Sequence, residues 1–146
     1  MNSGFSNARG VVAVALLSSV LAPVSGCWRS GVETVGVRGR ITFNGGPCPT
    51  AGAVFFTPIS TSGDLPARPA SGQFDTDGEF TISSFKQGDG LVPGTYRARI
   101  VCWQKPPDPV VGGGVSYVPA SYKPPDLVIE PGTRSTVEVT YDVPAN

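Results

Sequence analysis

The chain has 146 residues, and 11 Lys and Arg balance 11 Asp and Glu to a formal charge of zero at neutral pH. That balance excludes the basic footprint of a nucleic-acid binder, and the absence of histidine removes the commonest general base and the commonest metal ligand together. The 19 Gly and 15 Pro are scattered along the chain, which suits short strands joined by tight turns.

The first ten residues carry one charge, Arg9, and no acid. Val11 to Val24 is an apolar run of signal-peptide length. It is shorter than the roughly 20 apolar residues that a spanning helix needs, and Pro23 interrupts its end. Val24-Ser25-Gly26-Cys27 reads as a lipoprotein cleavage box: small residues fit a narrow peptidase site, and the Cys27 thiol takes the lipid. The alternative is an ordinary secretory signal followed by a chance cysteine. The expected organisation is a signal peptide over 1–26, a lipidated N-terminus and short tether over 27–32, and one domain over 33–144. A domain of that length can bury a modest core.

Beyond the leader the hydrophobic period is two, the mark of half-buried strands. Val35, Val37, Ile41 and Phe43 alternate with Gly36, Arg38, Arg40 and Thr42. Asn44-Gly45-Gly46-Pro47 turns the chain, and residues 53–57 form the next strand. Ser60 to Pro69 reads as a loop. Residues 70–75 and 79–83 flank Thr76-Asp77-Gly78 and predict a hairpin. Leu91-Val92-Pro93-Gly94 predicts a turn with Pro and Gly in type II order. In the strand from Thr95 to Trp103, Tyr96, Ala98, Ile100 and Cys102 point one way while Arg97, Arg99, Val101 and Trp103 point the other. Residues 104–125 are Pro- and Gly-rich. Residues 127–130 and 135–143 predict a last pair around Pro131-Gly132, with Val137, Val139, Tyr141 and Val143 inward. About seven short strands with regular turns predict an all-β, antiparallel sandwich.

The cleavage box consumes one of three cysteines. Cys48 and Cys102 remain, in a compartment where disulfides persist. A bridge would close a loop of about 55 residues and contribute roughly 4 kcal/mol in the chain-entropy account. The other reading is a pair of buried thiols acting as small hydrophobes.

The order Val37-Arg38-Gly39-Arg40-Ile41-Thr42-Phe43, then Phe74-Asp75-Thr76-Asp77-Gly78-Glu79-Phe80, then Leu91-Val92-Pro93-Gly94-Thr95-Tyr96 resembles a carboxypeptidase regulatory-like domain. That family is transthyretin-related, with an immunoglobulin-like or prealbumin-like sandwich. Val118-Pro119-Ala120-Ser121-Tyr122 is similar to a segment of small planctomycete-type lipoproteins that carry this domain. The resemblance spans residues 34–143 and implies fold far more than activity. It implies an accessory, non-catalytic domain, several acyl chains on Cys27, and the outer membrane or outward-facing surface, because Trp28 stands where inner-membrane lipoproteins often have Asp. The histidines on which transthyretin-related hydrolases depend are missing.

Four candidate sites follow from the residues. Asp75, Asp77 and Glu79 alternate around a glycine, yet the further ligands of a calcium loop are missing, and Asp77-Gly78 suits a structural turn. Arg38, Arg40, Arg97 and Arg99 would make an anion-gripping stripe if their strands were neighbours, while Glu138 and Asp142 could instead pair across the sheet. Trp103, Tyr117 and Tyr122 flank or sit in the long 104–125 passage, where they could stack on a glycan or anchor a protein, or could cap the core. Paired carboxylates could do glycosidase chemistry, but that needs a substantial cleft, which a domain this small seldom encloses. The expected function is therefore a non-catalytic, membrane-anchored module in envelope structure or protein interaction, with carbohydrate or small-ligand binding by the 103–125 loop as the alternative. Its expected partners are the membrane, through the lipid, and envelope proteins or glycans. No metal, cofactor or nucleic acid is expected.

Overall fold

Alternation in the sequence becomes alternation of burial in the computed structural model, which describes residues 31–144. The signal peptide and Cys27 lie outside the described residues. Eight strands form: β1 (Val37–Phe43), β2 (Gly52–Thr61), β3 (Ala70–Phe74), β4 (Glu79–Thr81), β5 (Gly94–Lys105), β6 (Val115–Ser116), β7 (Leu127–Ile129) and β8 (Val137–Val143). No helix occurs among the described residues. The strands make an all-β sandwich of two sheets, β4-β1-β8 and β3-β2-β5-β6, with β7 also on β5. Ile41, Val54, Phe56, Ile82, Tyr96, Cys102 and Val143 are buried between them, and Val137 and Val139 pack against this cluster.

The pairing differs from the sequence expectation in three places. Residues 70–83 do not form a hairpin within one sheet. β3 pairs with β2 and β4 with β1, and a single bridge at Ser71 and Ser83 joins the two segments. The turn between them crosses from sheet to sheet because its backbone is tied to β1. The Gly78 amide donates to the Asp75 carbonyl (2.9 Å), and the Gly78 carbonyl accepts from the Ile41 amide (2.9 Å). Gly78 has φ 77°, and a Cβ there would run into the Ile41 carbonyl oxygen. Glycine is required both by conformation and by space.

β7 and β8 do not pair with each other either. β7 joins β5, and β8 lies parallel to β1 from Val137 to Val143, so one pairing in the antiparallel-rich sandwich is parallel. Parallel neighbours need a crossover, and here nearly the whole domain lies between them in sequence. The passage after β5 is also not one loop. It turns back through a tip at Asp108–Gly112 to make β6, with the Asp108 carboxylate accepting from the Val110 and Val111 amides (2.8 and 3.1 Å). Val110 and Val111 are 92% and 83% exposed at that tip.

The Leu91–Gly94 turn is buried rather than on the surface. Its interior polar group is met by Tyr96, whose hydroxyl donates to the Val92 carbonyl at 2.8 Å inside the core. A tyrosine near the start of a strand, bonded back to the preceding corner, fixes where the strand enters a Greek-key sandwich. Burial outweighs that bond and raises the hydroxyl's pKa above its ordinary value. Tyr96→Phe leaves the Val92 carbonyl unmet in the core and should cost about 1–3 kcal/mol. Urea denaturation should show a lower midpoint with an unchanged slope; an unchanged midpoint would dismiss the corner's role.

Candidate functional site

β5 builds the site because each of its surfaces has a different task. Its inward row, Tyr96, Ala98, Ile100 and Cys102, is buried in the core. Its outward row consists of exposed Arg97 and Arg99 and half-buried Thr95, Val101 and Trp103. One edge is paired with β2 from Gly94 to Cys102, with a shift in register at Pro58–Ser60. The other meets β7 only at Gly94–Tyr96 and β6 only from Trp103 onward.

After β6 the chain runs beside β5 as a strap, residues 117–126. Its start is pinned: the Tyr117 amide donates to the Cys102 carbonyl (2.9 Å) and the Val118 amide to the Ser116 hydroxyl (3.0 Å). A turn follows, closed by the Tyr122 amide on the Pro119 carbonyl (3.0 Å). Tyr117, Val118 and Tyr122 pack against the core cluster, so apolar burial holds the strap down. On the opposite sheet, burial pushes the Tyr141 hydroxyl up to about 12, with Tyr122 and Asp126 of the strap adding to the effect. That hydroxyl is buried and has no hydrogen-bond partner among the described residues. Burial, then the nearby Asp142 charge, raises the Tyr122 hydroxyl as well. Tyr122 thus sits near both sheets.

Between β5 and the strap lies a groove of about 1040 Å³. Arg97, Arg99, Val101 and Trp103 line one side, and Val118, Pro119, Tyr122 and Lys123 the other. Asp126 also lines it and meets Arg97 at a loose 3.8 Å. Arg99 and Lys123 have no ion pair or side-chain hydrogen bond among the described residues. The structure therefore brings Trp103 and Tyr122 to one groove and draws Tyr117 away to the core. The sequence carries no signal of its own at Lys123 and Asp126, and Val118 enters there only through the resemblance. The prolines at 119, 124 and 125 were the available signal, since they mark chain that runs beside a strand without pairing to it.

The four arginines do not form a stripe, because β1 and β5 belong to different sheets. Arg38 is bonded to Glu138 (2.6 Å) and Arg40 to Glu79. These paired charges line a separate hollow of about 1170 Å³ that the three-stranded sheet shares with β3, and their neutralisation leaves it little pull on an ion. Asp142 accepts from the Thr42 hydroxyl (2.6 Å) and the Gly45 amide (2.8 Å), which hold its carboxyl below the usual range. Asp77 caps its own turn by accepting the Glu79 amide (3.0 Å). No group of three acid or cysteine side chains able to hold a metal occurs among the described residues.

Cys48 and Cys102 are buried, free thiols. The Cys48 sulfur donates to the Ile41 carbonyl (3.3 Å), while the Cys102 sulfur contacts the Thr50 hydroxyl at 3.3 Å and carbonyl at 3.6 Å. Burial first, then Cys102 and Asp77 nearby, pushes the Cys48 thiol up to about 11. A thiol kept protonated and buried is a poor nucleophile. In a Cys27→Ser chain both should resist a thiol reagent at neutral pH and label fully in denaturant; rapid labelling of the native chain would contradict this burial. Comparison with protein-family models, with curated proteins and with solved structures finds no match for this chain.

Proposed function

We propose that this chain is a non-catalytic protein-interaction module, held at the bacterial envelope by a lipid on Cys27, with the outer membrane favoured, and that it meets its partner through the β5 groove. The observation that carries this reading is the meeting of Trp103, Tyr122, Arg97 and unpaired Arg99 in one groove. Half-buried aromatics beside guanidinium groups are the residue types that anchor protein interfaces. The apolar run and the Val24-Ser25-Gly26-Cys27 box support the anchor, as two or more acyl chains make attachment stable. The resemblance to a carboxypeptidase regulatory-like domain supports an accessory role.

Glycan binding by the three rings is the weaker reading. Stacking on sugars needs free ring faces, whereas Tyr117 and Tyr122 are packed against the core. Only Trp103 stays outside that cluster.

Two variants test the proposal. Cys27→Ser should move the protein from the membrane fraction to the soluble fraction, and unchanged retention would count against the lipid. Affinity capture from envelope extracts should recover a set of proteins with the wild-type chain that Trp103→Ala and Arg99→Glu lose. The same set recovered by all three chains would rule out the groove as the contact surface.

A further inference from the structure

We propose that the β5 groove receives an extended acidic segment of a partner protein, which adds to the open edge of β5 as an antiparallel strand. This rests on the groove being the contact surface and names what fills it. Along a strand, the amide and carbonyl of one residue share an edge, and successive residues alternate between edges. Three bonds fix that alternation for β5. The Pro93 carbonyl accepts the Ser62 amide (3.1 Å) and the Trp103 carbonyl accepts the Thr50 hydroxyl (3.3 Å), both on the β2 side. The Cys102 carbonyl accepts the Tyr117 amide on the opposite side. Ala98 and Ile100 therefore aim their amides and carbonyls away from β2.

Among the described residues, no strand pairs with them there. β7 stops pairing at Tyr96 and β6 starts at Trp103. Among the described residues, no hydrogen bond joins Ala98 or Ile100 to the strap. Pro119, Pro124 and Pro125 have no amide hydrogen to offer. The open stretch from Arg97 to Val101 spans roughly 16 Å at about 3.3 Å per residue, room for a short added strand. Edges like this are recognition surfaces in β-augmentation, where backbone bonds supply affinity and flanking side chains select the sequence.

Charge selects the occupant. Arg97, Arg99 and Lys123 line the groove against one acid, Asp126. Residues facing Arg97 and Arg99 across an antiparallel pair would lie on the same face as them, with Cβ atoms about 5 Å away. Acidic residues fit those positions. The residues between would point to the core side, as buried Ala98 and Ile100 do, and should be small and apolar. The antiparallel sense is that of all three existing neighbours, β2, β6 and β7. A second copy paired edge to edge through β5 would set Arg97 and Arg99 against like charges. A polyanionic glycan has no alternating row of amides and carbonyls at strand spacing to meet both the amides and the carbonyls of Ala98 and Ile100.

The test titrates the full chain, in detergent micelles, into a fluorescent capped peptide of alternating Glu and Val, read by anisotropy. Saturable binding is expected, and Arg99→Ala should weaken it several-fold, with an unchanged thermal midpoint as the folding control. Backbone N-methylation at the Val positions should weaken binding roughly tenfold or more, and at the Glu positions far less. Equal losses from the two methylation patterns, or equal binding of the Gln-for-Glu peptide, would overturn the strand. Binding of an oligogalacturonate without the peptide would also overturn it while leaving the groove as the contact surface. If neither binds and envelope capture ignores the groove variants, the underlying reading falls too.

Discussion

The rest of the structure depends on where β5 enters the sandwich, and the Tyr96 hydroxyl on the Val92 carbonyl fixes that point. Once the strand is set, parity does the rest. Even-numbered side chains from Tyr96 to Cys102 fill the core, and odd-numbered ones from Arg97 to Trp103 face out. The same parity decides which backbone groups reach β2 and which face the groove. A slip of one residue would bury two arginines and expose the core row, so burial energy enforces the arrangement.

The fold's connections explain why a groove exists at all. A sandwich must protect its edges, and this one does so unevenly. β7 and β6 each cover one end of β5, while the chain between them is rich in proline and held off by packing of Tyr117, Val118 and Tyr122 on the core. The strap runs beside the middle of the edge without completing the ladder. That leaves a place for a strand, flanked by Arg99, which has no ion pair among the described residues, and by Arg97, which meets Asp126 only at 3.8 Å. On the other sheet, Glu138 and Glu79 neutralise the arginines of β1, and the surface there lacks the same pull.

Much of this was legible in the sequence, and its boundary has a physical cause. The period of two placed β1, β5 and β8 with their inward faces, because burial of one face is a local property of alternation. The turn chemistry of Asp77-Gly78 was equally plain, since left-handed backbone demands glycine. Partner choice was not legible. β3 with β2, β4 with β1 and β8 parallel to β1 are set by contacts between segments distant in sequence, so a local turn at 75–78 that reads as a hairpin instead joins two sheets. The importance of Trp103 and Tyr122 could be read from aromatic content beside a long passage. The open edge at Ala98 and Ile100 could not, because it follows from which strands fail to reach them.

Amide hydrogen exchange along β5, followed by NMR in the full-length protein, tests the central claim most directly. The Ala98 and Ile100 amides should exchange much faster in the free protein than those of Arg99 and Val101, which face β2, and should become protected when an acidic extended peptide is added. Equal protection of all four in the free protein would show that the edge is already satisfied and would contradict the account.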